Sequence, residues 1–170
     1  TYLVYYDETR GGRNNLLRND ISAAAESGVS GNRPWRFTDV TKQLGLEVNN
    51  NRYSFASAWE DFDNDGDQDL YVANDKKANQ LWRNLGGARF ENWTERSRVA
   101  AADRIGVSAS FADTDNDGDP DLYITPLGRH RLYRTAGGRF VDVAEELGIS
   151  PRTLRYKLAR MREDGIEVPA

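Results

Sequence analysis

One acidic segment of this chain occurs twice. Asp61-Phe-Asp-Asn-Asp-Gly-Asp-Gln-Asp-Leu-Tyr-Val72 returns 52 residues later as Asp113-Thr-Asp-Asn-Asp-Gly-Asp-Pro-Asp-Leu-Tyr-Ile124. Self-similarity at such a period means that one supersecondary unit is built repeatedly and that the copies stack, because a single unit cannot bury its own apolar face.

The repeat extends beyond the acidic segment. Asn79-Gln-Leu-Trp-Arg-Asn84 matches Asn14-Asn-Leu-Leu-Arg-Asn19 and, more loosely, His130-Arg-Leu-Tyr-Arg-Thr135. Arg36-Phe-Thr-Asp-Val-Thr41 matches Arg89-Phe-Glu-Asn-Trp-Thr94 and Arg139-Phe-Val-Asp-Val-Ala144. The trailing half of the unit is therefore present three times and the acidic loop twice.

The pattern of the unit is that of β structure. From Tyr53 to Trp59, Phe55, Ser57 and Trp59 alternate with Ser54, Ala56 and Ala58, and Val107 to Ala112 repeats the alternation. One small face in each copy suits close packing between sheets. Each acidic loop runs into an apolar strand, Leu70 to Ala73 or Leu122 to Thr125, and Gly86-Gly87 and Gly137-Gly138 supply hairpin turns before Phe90 and Phe140. A blade of about four short strands fits one period, so the chain holds roughly two and a half blades, fewer than the four to eight with which propellers close. Ile21 to Pro34, rich in Ser, Ala, Gly and Asn, reads as an inserted surface loop.

The acidic loop has the chemistry of a calcium site. Calcium takes about six to eight oxygen ligands, and a short loop supplies them best with carboxylates at alternate positions. Asp61, Asp63, Asp65 and Asp69 stand at positions 1, 3, 5 and 9, the carbonyl of Asp67 is available at position 7, and Gly66 sits at the sharp turn. Asp113, Asp115, Asp117, Asp121, the carbonyl of Asp119 and Gly118 repeat the arrangement. Five aspartates in nine residues repel one another without a cation. An EF-hand loop starts the same way but requires Glu at position 12 and flanking helices, whereas position 12 is Val72 or Ile124 and the flanks are strand-like. Magnesium fits less well, since it dehydrates reluctantly and demands octahedral geometry.

These residues resemble the FG-GAP/VCBS repeats, the calcium-loop blades of integrin α-subunit propellers and of many bacterial secreted proteins. The segments that carry the resemblance are Asp61 to Val72, Asn79 to Asn84, Gly87-Ala-Arg-Phe90 and Phe37 to Thr41, and it spans Thr1 to about Ile149. It implies a mainly β fold, about two and a half blades of an FG-GAP/VCBS-type β-propeller followed by a short C-terminal α-helix. It also implies two structural Ca2+ ions and loops that bind a protein or glycan. Further blades in a longer chain or by assembly, and an extracellular, periplasmic or cell-surface location, belong to the same expectation.

Near residue 150 the character changes. Ser150 to Ala170 holds five basic and three acidic residues, which leaves 18 basic against 24 acidic upstream in a chain of formal charge −4. Residues 1–149 and 150–170 are thus read as a repeat region and a basic tail. Ser150 suits a helix cap, Pro151 the first turn and Gly165 the end, and Leu154, Leu158 and Met161 form one apolar stripe. With Ala144 to Ile149, this stretch resembles the second and third helices of a Fis-type helix-turn-helix at the C-terminus of bacterial enhancer-binding regulators. That resemblance implies a DNA-binding regulator in the cytoplasm, with Arg152, Thr153, Arg155, Tyr156 and Lys157 facing the duplex. Ala144-Glu-Glu-Leu-Gly-Ile149 also aligns with Thr41-Lys-Gln-Leu-Gly-Leu46, so the repeat explains it equally well.

Composition narrows the remaining classes. With no cysteine, disulfides, thiolate metal sites and cysteine nucleophiles are excluded, and no apolar run reaches the roughly 20 residues of a membrane span. His130, the sole histidine, lies where the other copies carry Asn79 and Asn14, which points to a turn residue rather than a catalyst. A non-catalytic protein is expected.

Overall fold

The computed structural model describes residues 12–20, 37–75, 77–87, 89–101, 106–126, 130–148 and 160. The expected inserted loop, Ile21 to Pro34, lies outside the described residues. So does the tail helix, except for Arg160, which is helical.

The fold is mainly β and antiparallel. Strands β1 (Leu17–Asn19) and β2 (Phe37–Asp39) form a two-stranded piece. The first full sheet runs β3 (Tyr53–Glu60), β4 (Asp69–Asp75), β5 (Gln80–Asn84) and β6 (Phe90–Asn92) in sequence order, and α1 (Thr94–Ser97) follows it. The second sheet runs β7 (Gly106–Ala112), β8 (Asp121–Pro126), β9 (Arg131–Ala136) and β10 (Arg139–Asp142), followed by α2 (Val143–Glu146). These are two four-stranded meanders and one half unit, the arrangement the repeat predicts.

The copies agree residue by residue. The trailing hairpins share one register: Asn19 opposes Phe37, Asn84 opposes Phe90, and Thr135 opposes Phe140. Each then turns on the same Asx-type bond, in which Asp39, Asn92 or Asp142 accepts the N–H of Thr41, Thr94 or Ala144 at 3.0, 3.1 and 2.9 Å. Irregularities in the first strands of the two sheets also coincide, between Ser54 and Ala56 in β3 and between Gly106 and Ser108 in β7. A bulge at one place in both copies bends this strand alike, so the two sheets have the same local shape.

The two sheets stack, but not small face to small face. The first contributes Ala56, Tyr71, Ala73 and Leu81 to the seam, and the second contributes Ala109, Phe111, Leu122, Ile124 and Tyr133. Ser108 and Ser110, the small residues of β7, are turned outward and exposed. The physical reason is volume: two small faces would leave a void, whereas the alanines of β3 make room for the larger residues opposite. The other face of the first sheet carries Leu70, Val72 and Trp82 against Leu16, Leu44 and Leu46 of the half unit. That cover is incomplete. Phe55 is 54% and Trp59 41% exposed, beside a cavity of about 480 Å³ that also touches Leu16, Gln80 and Trp82.

The polar groups around Tyr71 in the seam are paired. Tyr71, fully buried, donates its hydroxyl to the Val99 carbonyl at 2.9 Å and accepts from the Asn79 side-chain amide at 2.8 Å, and its burial pushes the phenol well above its usual range. In the second sheet Tyr123 and His130 repeat this pair, with Oη 2.6 Å from Nδ1, on the outer and exposed face. His130 therefore takes the place of Asn79.

Candidate metal centre

Each aspartate loop joins the first, edge strand of a sheet to the next, β3 to β4 and β7 to β8. The loops close on themselves in the same way. Asp61 accepts the backbone N–H groups of Asp65 at 3.0 Å and Gly66 at 2.8 Å, and Asp65 accepts that of Asp67 at 3.0 Å. In the second loop Asp113 accepts from Asp117 at 3.2 Å and Gly118 at 3.1 Å, and Asp117 accepts from Asp119 at 2.9 Å. Gly66 and Gly118 sit at φ of 92° and 94°, a region in which a side chain is strained, so the glycine at the turn is a backbone requirement.

This winding brings Asp61, Asp63 and Asp65 together, with one carboxylate oxygen from each lying within 4.8 Å of the others, and Asp113, Asp115 and Asp117 form the same group. The position-9 aspartates lie beneath. Asp69, 1% exposed, accepts the N–H of Phe62 at 3.1 Å and of Asn84 at 2.7 Å. Asp121, equally buried, accepts those of Thr114 at 3.1 Å and Thr135 at 2.8 Å, and the Thr114 hydroxyl as well. Each position-9 carboxylate thus ties its own loop to the following hairpin. The side chains of Asp67 and Asp119 point to the Gly-Gly turns: Asp67 lies against Gly86, and Asp119 accepts the N–H of Gly137 at 2.9 Å. Their backbone carbonyls are the groups of interest for an ion.

The electrostatics are those of a crowded acidic pocket. Burial pushes the Asp69 carboxyl up to about 7, against the pull of the N–H groups of Asn84 and Phe62 and with the charges of Asp63 and Asp65 adding to the rise. Asp63 is also raised, by burial first, although Arg83 beside it opposes the shift. Asp115 is raised by desolvation and then by Asp117 and Asp121. Arg83 pairs with both Asp63 and Asp65, the latter at 3.2 Å, and Arg134 reaches Asp115 at 2.8 Å from the equivalent strand position. One oxygen of Asp63, Oδ1, is buried without a hydrogen-bond partner. A hard cation is the group such an oxygen fits.

Several contributors were not legible as site residues in the sequence. Phe62, at loop position 2, is 1% exposed and packs against Phe140 with ring centroids 5.4 Å apart, plugging the first loop into the seam. Its counterpart Thr114 instead bonds Asp121. The recurrence of Arg at 83 and 134 is visible in the repeat, but only the fold shows that it faces the aspartates. Arg152, Thr153, Arg155, Tyr156 and Lys157 lie outside the described residues. No described helix is long and apolar enough to cross a membrane.

Comparison with known proteins bears on both halves of the sequence. Residues 61–124, which hold both loops, match the family described as FG-GAP-like repeat. Residues 134–161 match the family described as bacterial regulatory protein, Fis family. The response regulator protein FleR of Pseudomonas aeruginosa is 65% identical over 37 residues, 22% of this chain. The match spans only 8% of the length of that relative, at its helix-turn-helix end. The Fis match begins at Arg134, which here lies in β9, so its first residues are strands of the second sheet. Residues 61–124, which run from the first aspartate loop into β8, are thus similar to an FG-GAP-like repeat, and residues 134–161 are similar to the Fis family.

Proposed function

We propose that this chain is a non-catalytic calcium-binding scaffold, a portion of a β-propeller whose exposed loops take a protein or a glycan. The observation that carries the reading is the twinned carboxylate group of each loop, with a buried and unpartnered Asp63 oxygen in the first. The ion would be held by Asp61, Asp63, Asp65 and Asp69 with the carbonyl of Asp67, and by Asp113, Asp115, Asp117 and Asp121 with the carbonyl of Asp119. When bound, it supplies positive charge that relieves carboxylate repulsion and fixes the turn between the first two strands of its sheet. Two such ions would bring the formal charge from −4 to zero. Sites of this kind fill where calcium is abundant, which favours an extracellular, periplasmic or cell-surface setting.

Calorimetric titration of the full chain with calcium tests this. About two equivalents should bind, and the melting temperature should rise with calcium and fall with chelator. A melting curve indifferent to both would remove the basis for a structural ion.

A second reading is a DNA-binding regulator acting from the cytoplasm, favoured by the Fis-family match at 134–161 and by the relative FleR. Arg152, Thr153, Arg155, Tyr156 and Lys157 would face the duplex, and residues 150–170 would be a module distinct from residues 1–149. Retention on duplex DNA should then fall steeply with salt and vanish when Ser150 to Ala170 is deleted. Retention unchanged by the deletion rules it out.

A further inference from the structure

We infer that the two aspartate loops form a coupled pair, linked across the seam by Asn64 and the β9–β10 turn, so that filling either loop raises the affinity of the other. This rests on the calcium reading above and adds to it a relation between the sites that neither repeat contains alone.

Three observations converge on the link. The Asn64 side-chain amide donates to Asp119 Oδ1 at 2.6 Å, across 55 residues of chain. The other oxygen, Asp119 Oδ2, accepts the N–H of Gly137 at 2.9 Å. A Cβ on Gly138 would stand 3.2 Å from the Cβ of Asp63, whereas one on the corresponding Gly87 would meet nothing within 4 Å. Positions 3 and 4 of the first loop thus touch position 7 of the second loop and the turn that follows it.

Asp119 joins the two loops. Its carbonyl is the position-7 group proposed for the ion of its own loop, while its side chain is held by the first loop and by the β9–β10 turn. A cation that fixes Asp63 and its neighbour Asn64 also fixes Asp119, so the second loop is partly ordered before its own ion arrives. Linkage makes the effect reciprocal. Repulsion between the two ions acts in the opposite sense, but the aspartates around each ion and the surrounding salt screen it.

The test uses Asn64→Gly in the full chain. Asn64 has φ of 57°, which glycine adopts without strain, so the substitution removes the amide and leaves the loop backbone as it is. Calorimetry should show the second calcium equivalent of the parent binding about fivefold tighter than independent sites allow. In Asn64→Gly both equivalents should remain while that excess disappears. In a second arm, Asp115→Asn with Asp117→Asn disables the second loop. This should weaken the first loop about fivefold in the parent background and leave it unchanged beside Asn64→Gly. Two independent sites in the parent, with Asn64→Gly identical, overturn the coupling and leave the calcium reading standing. No heat and no change in melting with calcium overturn the calcium reading, and the coupling with it.

Discussion

Asp69→Asn separates what the position-9 carboxylate does for folding from what it does for an ion. In the absence of calcium, burial raises the Asp69 carboxyl from the ordinary aspartate value of about 3.9 to about 7. The folded state therefore holds a proton that the unfolded state gives up, and stability falls as pH rises through this window. The benefit of the protonated form is complete below the unfolded value and is lost by the time pH exceeds 7. Between pH 5 and pH 8 the difference corresponds to about 2 pKa units, or about 3 kcal/mol at 1.4 kcal/mol per unit. For a chain of this size that is roughly 6 to 12 °C in melting temperature. Asparagine resembles the protonated acid, since one of its two polar atoms can no longer accept and either the Phe62 or the Asn84 N–H loses its partner. Thermal melts in chelator should thus show a parent destabilised from pH 5 to pH 8, and a variant that lies near the parent at pH 5 and changes little with pH. Excess calcium at pH 8 should restore the parent and not the variant. A parent whose melting in chelator is flat from pH 5 to pH 8, or an Asp69→Asn chain rescued fully by calcium, would refute the reasoning.

Three further outcomes test other parts of the structure. Phe62→Ala removes the ring that anchors the first loop in the seam against Phe140, and it should cost about 3 to 5 kcal/mol by urea denaturation. Tyr71→Phe leaves the Asn79 amide and the Val99 carbonyl without their partner, so a loss of about 1 to 3 kcal/mol is expected in the same assay. Arg83→Gln removes the cation that pairs with Asp63 and Asp65; melting should drop in chelator, and the gap to the parent should close as calcium takes over the charge. An equal gap with and without calcium would count against that role.

How far the sequence reaches can be judged from particular residues. Local backbone requirements repeat with the segment, so Gly66 and Gly118 at the turns, the alternation of β3 and the Gly-Gly hairpins were legible directly. They led to the four-stranded order of both sheets and to the grouping of Asp61 with Asp63 and Asp65, and of Asp113 with Asp115 and Asp117. These features depend on contacts a few residues apart, which spacing encodes. The facing of the sheets was not encoded that way. The alternation shared by β3 and β7 gives each sheet a small and a large face but not which faces meet: the seam joins the alanine face of one to the Phe111 face of the other, because volume across the interface decides the match. The same holds for Phe62, Arg83 and Asn64, whose partners Phe140, Asp63 with Asp65, and Asp119 come from other strands or from the other sheet. By itself the sequence determined a repeated β unit with two carboxylate-rich loops. Only the tertiary structure decided that the loops sit side by side across one seam, since stacking two sheets is what places Asp119 within reach of Asn64.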